Sequence, residues 1–168
     1  TAIGHDALVS NTTGGQNVAV GDNVLAANTT ANYNTAVGTS ALLANTTGTQ
    51  NVAMGAFTLD SNTTGNYNTA LGYQALRENE TADYNTGIGH KAGLSITTGF
   101  SNTAVGGLSL DAQTTGDYNV AVGTLALSGD TTGNKATGVG YGALAAQNVT
   151  DSADTFNTAV GFSAGSAV

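Results

Sequence analysis

Along this chain, short apolar runs alternate with longer polar stretches, and the alternation is periodic. A block of Asn, Thr or Val, Ala and one aliphatic residue is closed by glycine at Gly4, Gly21, Gly38, Gly55, Gly72, Gly89, Gly106, Gly123 and Gly140. Each step is 17 residues, and the next copy, at Gly161, follows after 21, so four residues are inserted between Ala145 and Phe156. The consensus is N-[TV]-A-[VIL]-G-x-x-A-L-x-x-N-T-T-G-x-Y. Equal steps repeated along a whole chain predict one supersecondary unit stacked on copies of itself.

The length of the unit selects the architecture. Two packed helices need about 30 residues or more per repeat, and this unit is rich in β-branched residues and glycine, which are poor helix formers. Tetrads such as Asn34-Thr35-Ala36-Val37 and Asn68-Thr69-Ala70-Leu71 predict short strands ended by glycine. A second extended segment is expected from Ala41-Leu42 onward, with the Asn-Thr-Thr-Gly of 45–48 at a corner or on a short strand. The expected fold is therefore all-β, a parallel β-solenoid (β-roll) of about ten 17-residue coils with two short strands per coil. It forms a single tandem-repeat unit over residues 1–168, with the four-residue insertion inside 145–156. At a spacing of about 4.8 Å per coil the rod would be roughly 45–50 Å long.

Stacking gives each column a role. The residue before the glycine (Ile3, Val20, Val37, Met54, Leu71, Ile88, Val105, Val122, Val139, Val160) forms an unbroken apolar column, expected to be a core or a buried interface. A second column is Leu8, Leu25, Leu42, Leu59, Leu76, Leu110, Leu127 and Leu144; it lapses at Gly93, where Leu94 is shifted by one. Alanine between the columns is expected where two layers approach closely, and glycine at the strand end where a corner needs positive φ. Asparagine recurs from Asn17 to Asn119 and from Asn11 to Asn79, which predicts ladders of stacked side chains at turns. Gln16, Tyr33, Gln50 and Tyr67 alternate with a 34-residue superperiod.

Composition narrows the function. Only 8% of residues are charged, against roughly 25% in typical soluble domains. No apolar run approaches the ~18 residues that would span a bilayer, and Thr1–Ser10 shows no signal peptide. Because Thr1 already lies inside a repeat, the chain reads as a fragment or mature piece. With no end caps, its edges at Thr1 and Val168 are expected to continue into further sequence or meet another chain. The net charge of −8, with only Arg77, Lys91 and Lys135 positive, argues against nucleic acid. There is no cysteine for disulfides or thiolate metal sites.

Catalytic chemistry would have to break the repeat, and the residues that do so form no expected site. His5 and His90 share one repeat position five coils apart, roughly 24 Å, too far to share a metal. Asp151 and Asp154 near the insertion are expected to be solvated. The Asn-x-Thr triplets at Asn11, Asn28, Asn45, Asn62, Asn79 and Asn148 follow mostly from the consensus. No phosphate loop and no calcium-binding nonapeptide occur. The expectation is no enzyme, no cofactor and no metal.

Units such as Asn34-Thr35-Ala36-Val37-Gly38 and 68–76, spaced by Asn-Thr-Thr-Gly, resemble the repeats of phage tail-fibre and bacterial surface-fibre proteins. They are more distantly similar to the β-roll head repeats of trimeric autotransporter adhesins, whose units are usually shorter. The resemblance implies a structural or adhesive rod that is extracellular, on a cell surface or on a virion. It also implies further copies as partners, as a homotrimer or an end-to-end fibre, and a receptor or glycan that the motif does not name. A rival reading is ice binding through a regular threonine array. The second threonine of the corner recurs as Thr13, Thr30, Thr47, Thr64, Thr81, Thr98, Thr115 and Thr132. Against ice, adjacent threonines on a strand point to opposite faces. Any specificity is expected at variable positions such as His5, Asp22, Thr39 and Tyr73, and in the loop from Gln147 to Thr155.

Overall fold

The computed structural model describes residues 1–166. It is a parallel β-solenoid with one strand per coil: β1 (Ala2–Ile3), β2 (Val18–Val20), β3 (Thr35–Val37), β4 (Val52–Met54), β5 (Thr69–Leu71), β6 (Thr86–Ile88), β7 (Thr103–Val105), β8 (Val120–Val122), β9 (Thr137–Val139) and β10 (Thr158–Val160). They form a single ten-stranded sheet in chain order. Equivalent residues pair throughout, as Ala36 with Ala53 and Val37 with Met54. Register survives the insertion, since Thr158 still pairs with Thr137. The expectation for an edge at Val168 lies outside the described residues.

The all-β solenoid with 17-residue spacing is the expected one, and the second strand is where the structure differs. The segment after each glycine is a series of turns. Ser40 (φ 55°) and Leu42 (φ 53°) are left-handed, and the same two columns are left-handed at Asn23 and Leu25 and at Gln74 and Leu76. Left-handed residues alternating with right-handed ones curl the chain back on itself, which a strand cannot do within so few residues. The turns still hydrogen-bond between coils. Ser40 donates its N–H to Asp22 O at 2.9 Å in the preceding coil, and Leu42 to Thr58 O at 3.0 Å in the following one. A leucine in this conformation costs about 1–2 kcal/mol, which full burial, about 1.5–3 kcal/mol, offsets. Gly38 closes the strand at φ 120°, where an added Cβ would lie 2.7 Å from the Gly55 carbonyl.

The interior is narrow, and this decides between the two readings of the apolar column. A three-residue strand can send only its middle side chain inward. That residue is Ala19, Ala36, Ala53 or Ala70, all fully buried, packed with Leu25, Leu42, Leu59 and Leu76. The column from Ile3 to Val160 therefore points out. Ile3, Met54, Leu71, Ile88 and Val160 are exposed and the intervening valines half-buried. It is not the core. The leucine column is, except in the sixth coil. There Leu94 is only half-buried and the gap left by Gly93 is filled by Ile96, which replaces an inward asparagine and is fully buried. A Cβ on Gly93 would meet Leu76 Cδ2 at 2.8 Å and Ile96 Cδ1 at 3.0 Å.

The asparagines form the expected ladders, with their amides turned into the interior. Asn68 accepts the N–H of Asn85 on Oδ1 at 2.9 Å and donates from Nδ2 to Ala82 O at 2.8 Å. In the other ladder, Asn62 donates to Asn45 Oδ1 at 2.8 Å and Asn79 to Asn62 Oδ1 at 2.9 Å. Each amide thus serves backbone or amide groups one coil away that water cannot reach.

Two stability outcomes follow. Asn68→Ala orphans the buried Asn85 N–H and leaves Ala82 O with one donor, Asn79 Nδ2 at 3.1 Å, so chemical denaturation should show a loss of about 1–3 kcal/mol. Gly93→Leu restores the consensus yet should destabilise by about 1–3 kcal/mol through overpacking. Adding Ile96→Asn should recover most of that loss, giving a strongly non-additive double-mutant cycle.

Candidate surface sites

With the inward positions consumed by ladders and small packing groups, functional groups can only stand outside. One continuous outward feature is the strand face. Its two columns are Thr or Val at the first strand residue and an aliphatic at the third, and neither carries a charge at any of the ten levels. Rings border the face on both sides. On one border Tyr67 and Tyr84 stack at 4.9 Å with parallel planes; on the other Tyr73 and His90 stack at 5.8 Å, 9° apart, and Tyr141 and Phe162 at 5.1 Å. Stacking along the rod covers ring faces and leaves edges projecting sideways. Tyr73 and His5 were expected to vary, and the aliphatic column they border was left open between a core and a buried interface. The available signal was the strict small residue between two larger ones, which fits only an inward alanine.

The corner threonines divide the work between neighbours. Thr12, Thr29, Thr46 and Thr63 donate from Oγ1 to the carbonyl one coil on, at 3.0–3.3 Å. Their successors Thr13, Thr30, Thr47, Thr64, Thr81, Thr98 and Thr115 are exposed. Thr132 ends this row, its hydroxyl donating to Val149 O at 2.7 Å. The structure places the eight predicted threonines in single file at a corner, one hydroxyl per coil, and not on the strand face.

The irregular residues stay apart. His5 Nδ1 lies 3.3 Å from Asp22 Oδ1 and 3.5 Å from Asp6 Oδ2, all exposed, while His90 lies against Tyr73. Asp154 meets Lys135 Nζ at 2.6 Å, and that ammonium also sits 5.2 Å from the Phe156 ring, which clasps the insertion loop to the ninth coil. Asn28, Asn45, Asn62 and Asn79 are fully buried, so among the Asn-x-Thr triplets Asn148 is an exposed one. No group of three His, Cys, Asp or Glu able to hold a metal, and no pocket, occurs among the described residues.

One buried polar chain was not foreseen. The second asparagine column continues as Gln113, Asp130 and Gln147, all buried. Asp130 Oδ1 accepts the N–H groups of Gly133 at 3.0 Å and Val149 at 3.2 Å, and Oδ2 accepts Gln147 Nε2. An aspartate cannot donate downward as the asparagines do, and Gln113 Oε1 below it is left unpartnered.

No family model, no curated protein and no solved structure matches this chain. Among the described residues no helix is long and apolar enough to cross a membrane.

Two carboxyls titrate abnormally. Burial raises Asp60 above its ordinary 3.8, against the lowering effect of Arg77, whose Nε lies 3.3 Å away. Burial likewise raises Asp111, against its own backbone N–H and Lys91, and its Oδ1 has no partner. An acid whose folded pKa exceeds its unfolded one stabilises fully below the unfolded value, and that contribution is lost as pH rises through the folded value. Asp111→Asn should therefore melt higher than the parent at neutral pH, with the difference shrinking as pH falls through the raised folded value and constant below 3.8. Thermal melts across that range read it directly.

Proposed function

We propose that the chain is a structural and adhesive rod of a tail fibre or cell-surface fibre, working extracellularly or on a virion alongside further copies of itself. The observation that carries this reading is the constant cross-section. The strand and its inward alanine or glycine recur at all ten levels, while the outward border columns change residue type from level to level. A periodic array places the same group at every level, which suits an extended contact surface and gives a catalytic constellation nowhere to assemble. The resemblance of the repeat to tail-fibre and adhesin-head units points the same way, and extends the proposal to a homotrimer or an end-to-end fibre.

Light scattering on the purified chain is the direct test. The expected outcome is a mass that is a multiple of 16.5 kDa, and a strict monomer at all concentrations would contradict the self-associating fibre. The rival, ice binding, has unengaged threonine hydroxyls in its favour and their single-file arrangement against it. Ice grown in a concentrated solution of the chain should keep its normal habit without thermal hysteresis. Faceting that is abolished by Thr47→Lys would instead support the threonine row.

A further inference from the structure

We propose that the outward strand face docks on a second copy of this chain, parallel and in axial register, with the Tyr67 border of one copy against the Tyr73 border of the next. This rests on the self-associating reading above and adds the surface and the register. An uninterrupted aliphatic column of ten residues is either a core or an interface, and here it lies outside the core. Ten strands at about 4.8 Å, bordered by rings roughly 15–20 Å apart, make a face of roughly 700–900 Å², matching the ~800 Å² per partner of a stable complex.

The charge pattern favours a second copy over a charged partner. The chain carries a net −8, yet both strand columns are neutral at every level, and the borders carry only Asp22 and Lys135. Two such chains can approach by this face without opposing their acids. A sugar is less well served at the paired rings, because Tyr67 with Tyr84 and Tyr73 with His90 stack on one another and present edges where a pyranose needs a free ring face.

Register comes from the borders, since the strand columns look alike after any one-coil slip. With borders opposed at the same level, Tyr67 meets Tyr73, Tyr84 meets His90 and Phe156 meets Phe162. Lys135 then faces Tyr141, and small Ser101 faces Gly107. A slip of one coil in either direction leaves two ring pairs, and sets Tyr84 against Gly107 or Tyr67 against Ala56. Because one border meets the other, the contact is head-to-tail around an axis and closes into a ring of parallel copies.

The absence of native cysteine makes the test clean. Tyr67→Cys and Tyr73→Cys chains are co-assembled and oxidised. The expected result is a covalent dimer in the mixture and none in either variant alone. Tyr67→Cys mixed with Gly107→Cys should not cross-link, because two coils are about 10 Å and thiols beyond about 7 Å between Cα atoms do not bridge. Self-cross-linking of Tyr67→Cys, or equal cross-linking to position 107, would overturn the proposal while leaving self-association standing. A monomer by light scattering would remove both. Gln50→Cys with Ala56→Cys repeats the test one coil away should a tyrosine variant melt without cooperativity.

Discussion

The whole structure depends on hydrogen bonding between successive coils around nearly the full circumference. Strand residues bond in parallel register, and the turns continue the same traffic through left-handed residues that aim successive N–H groups at the coil below or above. Each coil must therefore follow the same backbone path as its neighbours. That requirement fixes the period at 17 and forces the one insertion out into a loop, after which Thr158 resumes pairing with Thr137. An irregular coil would orphan backbone groups on two levels at once, each worth about 1–3 kcal/mol if buried.

The same constraint sets the interior. With one three-residue strand per coil the cavity is thin, so alanine faces inward from the sheet and leucine fills the space from the turn side. Asparagine amides satisfy the backbone that remains inside. Departures come in compensating sets. Gly93 removes a leucine and Ile96 supplies the volume. Gly87 completes the adjustment, because a Cβ there would lie 2.7 Å from Leu76 Cγ. The chain treats its core as a sum of volumes per level and not as fixed identities per column.

Period, fold class and glycine corners were legible in the sequence, because each follows from one residue's local requirement repeated many times. The second strand was misread because Ala41-Leu42 and its copies satisfy a hydrophobicity rule for strands, whereas left-handed leucine leaves no signature in composition. The placement of Val37 and its column was left open between core and interface. Aliphatic residues are usually inside, and only strand length decides that Ala36 takes the single inward position. As for the site, the exposed threonines and variable border residues were named from sequence. Their division into a single-file corner row and a ring-bordered face required the coil geometry.

Function in such a rod is an external matter, set by which outward columns meet a partner and at which levels. That view stands or falls on whether alanine or the aliphatic column forms the inside of the sheet. Chemical denaturation of Ala70→Val and Leu71→Ala, at concentrations where the chain is monomeric, tests this most directly. The account predicts that Ala70→Val, which overfills the interior, costs about 1–3 kcal/mol, and that Leu71→Ala costs under about 1 kcal/mol. The reverse, with Leu71→Ala losing the 2–5 kcal/mol of a core leucine and Ala70→Val tolerated, would contradict it.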